Sequence, residues 1–177
     1  MVFILISIAI ALLYVLGNCL WLKGIPQSIS DTFYLLNNKK KGLGWLFSFF
    51  CWGVLIVLIP WFELTKFQDF QFLVFLAGAG LGFVGAAPHF KDDESNIHFW
   101  GAGVCIVSSQ IWAFLTCWWI PLICWVAWIV GTSIYMSKHK TGILERTFIE
   151  AKPMFWIEIT AFTAIYSTIL MCYERVI

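Results

Sequence analysis

The sequence predicts an all-α membrane protein, a bundle of six transmembrane helices forming one domain over residues 1–177, and three observations lead there. Hydrophobic residues make up 61% of the chain and charged ones 12%, where a soluble domain carries about a quarter charged. The mean hydropathy is +0.86. Stretches of the length a bilayer crossing needs, about 20 apolar residues, follow one another at 1–22, 44–63, 70–88, 98–116, 118–137 and 153–173. Too little chain remains between them for a soluble domain, and a net charge of +1 gives nucleic acid no foothold.

The first stretch, Met1–Leu22, has no basic start and is longer than a signal-peptide core, so it reads as a retained span. The loop that follows, "GIPQSISDTFYLLNNKKKGLG", opens on a proline turn. Ser28 or Ser30 is placed to cap a short interfacial helix ahead of the run Lys39–Lys41. The third span reads "LAGAGLGFVGAA". Gly78, Gly82 and Gly85 or Ala86 put small residues on one helical face, and Gly101, Ala102 and Gly103 in the fourth span are suitable partners for close packing. The fifth loop, "SKHKTGILERTFIEAKP", has room for one or two turns of helix, and Pro153 starts the last span.

Tryptophans fall near span ends, as in an aromatic belt at the headgroup level: Trp21, Trp45, Trp61, Trp100, Trp118, Trp119 and Trp156. Trp52, Trp112, Trp125 and Trp128 sit deeper and are expected to pack. The cysteines lie inside spans or at their edges, with no CxxC pair, and behave as small apolar residues. Loops one, three and five carry Lys23, Lys39, Lys40, Lys41, Lys91, Lys138, Lys140, Arg146 and Lys152, against Lys66 and Arg175 on the other side. That bias puts loops one, three and five in the cytoplasm and both termini outside.

Ionisable groups within a span demand a partner or a function. Glu158 lies five residues past Pro153, about 7–8 Å into the bundle from the side of the odd-numbered loops. Asp31, His89, Asp92, Asp93, Glu94 and His98 belong to the same side, and Asn18 approaches from a related depth. The set supports a polar vestibule for a lipid headgroup, built from Ser30, Asp31, His98, Glu158, His89 and Asn18. No cofactor is required. Were a metal to bind, zinc on His89, His98 and Asp93 is the arrangement the donor types suit, although the chain has neither HExxH nor HxxxH. A GxSxG nucleophile and a P-loop are also absent from the sequence.

"IPQSISDTF" after the first span, "GLGFVG" ending the third, "HFWGAGV" opening the fourth and "FWIEITAF" in the sixth resemble the signature of the DRAM family, the damage-regulated autophagy modulators. Its wider membership includes a factor for lipid remodelling of GPI anchors. The resemblance implies a six-span fold and a role in membrane-lipid handling, trafficking or autophagy. It matches Ser30 and Asp31 to the family's Ser-Asp, His98, Gly101 and Ala102 to its His-x-x-Gly-Ala, and Glu158 to the acid of its last span. In that family the first and third loops face the lumen or exterior, opposite to what the lysines here predict, and familiar members are longer.

The leading expectation is therefore a non-enzymatic, lipid-interacting membrane protein, monomeric or a small homo-oligomer, with membrane lipids as partners and no protein partner assignable. A metal-dependent hydrolase of a lipid amide or ester is the alternative. A small channel or transporter using Glu158, Asn18 and the hydroxyls of the fourth to sixth spans is the third.

Overall fold

The computed structural model of the chain describes residues 1–89, 94–139 and 144–176. Those residues form helices and connecting turns, with no strand among them. The helices are α1 (Val2–Leu22), α2 (Thr32–Lys39), α3 (Trp45–Val54), α4 (Leu58–Thr65), α5 (Phe72–Ala86), α6 (Glu94–Cys117), α7 (Trp119–Lys138), α8 (Leu144–Glu150) and α9 (Pro153–Val176). The protein is thus a multi-pass helical membrane bundle. Five helical segments are long and apolar enough to cross: α1, α3 with α4, α6, α7 and α9.

The sixth expected crossing is shorter than the sequence suggested. Of the stretch 70–88, only Phe72–Ala86 is α-helical, 15 residues or about 22 Å. A 3-10 turn at Ala87–His89 extends it by about 6 Å. Turns occupy the residues between Thr65 and Phe72, where Gln71 Nε2 donates to the Phe62 carbonyl at 2.9 Å and ties the chain back to α4.

The second span is broken in its middle, and Pro60 explains why. Proline has no N–H for the carbonyl four residues earlier and its ring crowds that turn. The backbone accordingly tightens to a 3-10 stretch at Leu55–Val57, between α3 and α4. Fully buried Ser7 on α1 donates to the Val54 carbonyl at 2.7 Å and so satisfies a backbone group at the break. Its oxygen also meets the Tyr166 hydroxyl at 2.6 Å, and since the Ser7 proton is committed, Tyr166 is the donor. One serine therefore joins α1, the break and α9.

The core at the level of the termini is apolar: Ile4, Val74, Trp112 and Ile169 are each 0% exposed. α7 is peripheral, with 11% of its apolar stretch buried against 39% for α9. Gln110 holds it in place. Its amide donates to the Ala161 carbonyl on α9 at 3.3 Å and its oxygen accepts from Trp125 Nε1 on α7 at 3.0 Å.

Glycine packing differs from the single stripe expected. A Cβ on Gly80, which was not among the expected packing residues, would lie 2.6 Å from the Gly101 oxygen and the Cys105 nitrogen, so α5 and α6 meet there backbone to backbone. Gly78 and Gly85 face the other way, onto Leu58 and onto Cys51 with Trp52. Gly82 has only Leu55 at 3.8 Å, and Gly103 has open space. Gly82 and Gly103 are therefore not close-packing positions. α5 lies between two neighbours, and a four-residue spacing picks out one face when two are in use.

α1 ends in a left-handed residue, Lys23 at φ 56°, with the Gly24 N–H donating to the Cys19 carbonyl at 3.0 Å. The strained conformation falls on the lysine, one residue before the glycine that would adopt it freely. Lys23→Gly is expected to raise stability by about 0.5–1 kcal/mol, after allowing for the greater freedom of glycine in the unfolded chain. Thermal unfolding in detergent checks this: a variant no more stable than the parent means the turn is not strained.

Candidate functional site

The chain between α1 and α2 does not hang free as a loop. It lies along the start of α9, and three alternate residues bond to Lys152, just before the helix, and to Phe155 and Glu158 within it. The Ile25 carbonyl accepts from Lys152 Nζ. The Gln27 carbonyl accepts from the Phe155 N–H at 3.0 Å. The Ile29 N–H donates to Glu158 Oε2 at 2.5 Å. Phe155 is the third residue of α9, so its N–H has no partner within the helix, and loop one supplies one. Pro153 at the first position has no N–H to satisfy.

Glu158 is half-buried. The Ile29 N–H gives its carboxyl a backbone donor, which offsets part of the cost of an ionisable group inside a span. The far side of loop one is held by α1. Thr32 Oγ1 donates to the Ile29 carbonyl at 2.5 Å and accepts from the Tyr14 hydroxyl at 2.6 Å, while the Tyr14 ring stacks on Phe50 at 4.3 Å. Asn18 is buried and turned back on its own helix, donating to the Tyr14 carbonyl at 2.8 Å. It does not open towards a vestibule.

The serine expected to cap the interfacial helix acts one step upstream. Ser28 Oγ accepts the Asp31 N–H at 3.0 Å and lies 2.9 Å from Ser30 Oγ, while Asp31, the residue preceding α2, makes no side-chain cap. Ser30 and Asp31 stay half-exposed at the rim. Ser30 and Asp31 thus follow directly on Ile29, the loop-one residue that binds Glu158. His98 is half-exposed, near the start of α6, with its ring 6.4 Å from that of buried Phe47. Asp92 and Asp93 lie outside the described residues, as do the side chains of His89 and Glu94. Among the described residues no group of three His, Cys, Asp or Glu side chains is placed to hold a metal.

Two hollows flank α9 on different faces. One, of about 100 Å³, lies among the α3–α4 break, α5, α6 and α9, with Glu158 in its wall. The other, of about 590 Å³, is a cleft between α7 and α9. Thr132, Tyr135, Trp156 and Thr160 are among the residues that line the cleft, and Ala151 lies at the loop-five end beside Lys152. Trp128 also lines it, and its buried Nε1 has no acceptor among the described residues. The sequence signal for this cleft was faint: Gly131 and Ala127 on α7 simply leave space opposite α9.

Three of the hydroxyls that suggested a polar path are bonded within their own helices. Ser109 bonds to the Ile106 carbonyl, Thr163 to Ile159 and Thr168 to Ala164. A comparison of the chain with protein-family models, with curated proteins and with solved structures finds no match.

Proposed function

We propose that the protein is a non-enzymatic, lipid-interacting membrane protein that holds an acyl chain in the α7–α9 cleft, with the headgroup at the loop-one face. The cleft carries this reading. Its volume, about 590 Å³, is within the range of ligand sites, its walls are mainly apolar, and its polar atoms are few and separated. Its loop-five end lies at Ala151, next to Lys152, whose Nζ donates to the Ile25 carbonyl, so a headgroup there would meet Lys152 and the start of loop one. The family resemblance, through Ser30, Asp31, His98 and Glu158, favours the same role in lipid handling. On the lysine count this face lies in the cytoplasm.

Gly131 provides the test, because a side chain added there meets nothing within 4 Å and grows into the cleft. Gly131→Leu is expected to lose most of the lipid that co-purifies in mild detergent, while gaining up to about 0.5–1 kcal/mol of helix propensity. Mass spectrometry of the extracted lipid reads the first effect and thermal unfolding the second. An unchanged lipid complement in a stably folded Gly131→Leu protein overturns the proposal.

A further inference from the structure

Lysines from distant parts of the chain gather where α1 ends. The helix has 21 residues, about 31 Å of rise, which matches the hydrocarbon core of a bilayer, so its last turn stands at the headgroup boundary. Trp21 in that turn is exposed, as a belt residue is. Lys39, the last residue of α2, donates from Nζ to the Trp21 carbonyl at 2.8 Å. Lys152, just before α9, donates from Nζ to the Ile25 carbonyl. Lys23 lies between the two acceptors and is exposed. Trp21 and Ile25 are so near in sequence that even an extended chain would keep their carbonyls within about 14 Å, and the left-handed turn at Lys23 shortens that.

Neither bond exhausts its lysine, since an ammonium has three protons and a carbonyl takes one. No acid among the described residues forms an ion pair with Lys23, Lys39, Lys40, Lys41 or Lys152; the pairs present are Lys66 with Glu63 and Arg146 with Glu150. Loop one has a single acid, Asp31, and the neighbouring Glu158 carboxyl is engaged by the Ile29 N–H. Like charges brought together repel, and each lysine held in place gives up side-chain freedom. An anion from outside the chain offsets both costs. Topological retention asks only that lysines stay on one side of the membrane, and does not require two of them to be fixed on carbonyls of one turn.

We infer that the α1 end of loop one is a docking surface for the headgroups of anionic phospholipids, with Lys23, Lys39 and Lys152 as the groups that meet them. The phosphates of the surrounding bilayer already lie at this depth. A zwitterionic headgroup carries a cation beside its phosphate, and a surface of lysines with one acid repels that cation. Clusters of about four to eight basic residues next to a span select anionic lipid, and Lys23, Lys39, Lys40, Lys41 and Lys152 reach that number. On the lysine count the face meets the cytoplasmic leaflet, which is the anionic one. This surface goes beyond the lipid held in the α7–α9 cleft, because Lys23 and Lys39 are not in the cleft wall.

The full chain in mild detergent would be titrated with phosphatidylglycerol and, separately, with phosphatidylcholine of the same acyl chains, and bound lipid counted by native mass spectrometry. Phosphatidylglycerol is expected to bind more than about tenfold more tightly, and to lose most of that advantage when the ammonium acetate is raised about tenfold. Lys39→Gln and Lys152→Gln each keep a donor for the carbonyl and remove the charge. Each is expected to lower phosphatidylglycerol affinity about fivefold, the contribution of one basic residue at a membrane surface. Lys39→Arg, which keeps the charge, is expected to bind as the parent does. Lys66→Gln, at the end of the second span away from loop one, is expected to change nothing. Equal affinity of the parent for the two lipids overturns the inference, as does a Lys39→Gln protein with the parent's preference. A loss as large in Lys66→Gln as in Lys39→Gln also overturns it, since charge anywhere on the protein would then suffice. Gly131→Leu reads chain retention in the cleft and Lys39→Gln reads headgroup charge, so each proposal fails by itself.

Discussion

Glu158→Ala is expected to cost about 1–3 kcal/mol of stability, more than removal of a surface acid, because it strands a backbone donor of loop one in an apolar surrounding. The Ile29 N–H has the Glu158 carboxyl as its partner at 2.5 Å. Water does not replace that acceptor cheaply here, since Ile29 is 3% exposed. Glu158→Gln keeps a carbonyl oxygen for the Ile29 N–H and is expected to lose about half as much, since the bond remains but is no longer charge-assisted. Glu63→Ala is the control, as that acid is exposed and paired only with Lys66 at 3.2 Å. Thermal unfolding in a common detergent gives the energies, and limited proteolysis reports whether loop one has detached. Equal melting of Glu158→Ala and Glu63→Ala would mean that the carboxylate holds nothing in place.

That expectation changes what the polar residues at this face are for. Reasoned from depth along the chain alone, Glu158, Asp31 and Ser30 form the wall of an open vestibule. In the fold Glu158 is the anchor of a clasp and leaves Ser30 and Asp31 at the rim. On the proposed lipid role, a headgroup at this face would meet loop-one atoms that Glu158 positions. The distinction bears on experiment, because a Glu158 variant is then expected to disturb lipid retention and stability together, whereas Gly131→Leu is expected to separate them.

Hydropathy and helix punctuation made most of the architecture legible. The five long spans, the proline at the head of the last one and the meeting of loop one with Glu158 all follow from apolar run lengths and from depth. What escaped depends on which face of a helix a residue occupies. Trp61 near a span end read as a belt residue, yet it is 4% exposed and packs on Trp112. Val54, Val57, Trp61 and Thr65 recur at spacings of three, four and four and are all buried, a stripe that position along the span does not reveal. Trp52, expected to pack, is 40% exposed. The partner of Glu158 is a main-chain N–H, and no residue type in the sequence announces that. Pro60 was the available sign of the break in the second span, and with it of the cavity beside Trp61.

The glycines of α5 give the sharpest test of the packing. A Cβ at Gly80 would stand 2.6 Å from two backbone atoms of α6, the Gly101 oxygen and the Cys105 nitrogen, and 3.0 Å from the Cys105 Cα. No side-chain rotation relieves a clash with backbone, so α5 and α6 must part along their length. In lipid this matters more than in water, since close packing rather than hydrophobicity holds such helices together. Gly80→Ala is therefore expected to destabilise by about 3 kcal/mol, at the upper end for overpacking, and Gly80→Leu to prevent recovery of a monodisperse protein. Gly103→Ala, with open space around it, is expected to be neutral or to gain up to about 1 kcal/mol from helix propensity. Gly82→Ala should resemble Gly103→Ala despite lying in the four-residue glycine spacing, because its nearest neighbour is Leu55 at 3.8 Å. Size-exclusion profiles and melting temperatures of the three alanine variants decide the matter. If Gly82→Ala proves as damaging as Gly80→Ala, the close face of α5 is the one marked by the spacing, and the crossing with Gly101 is misplaced.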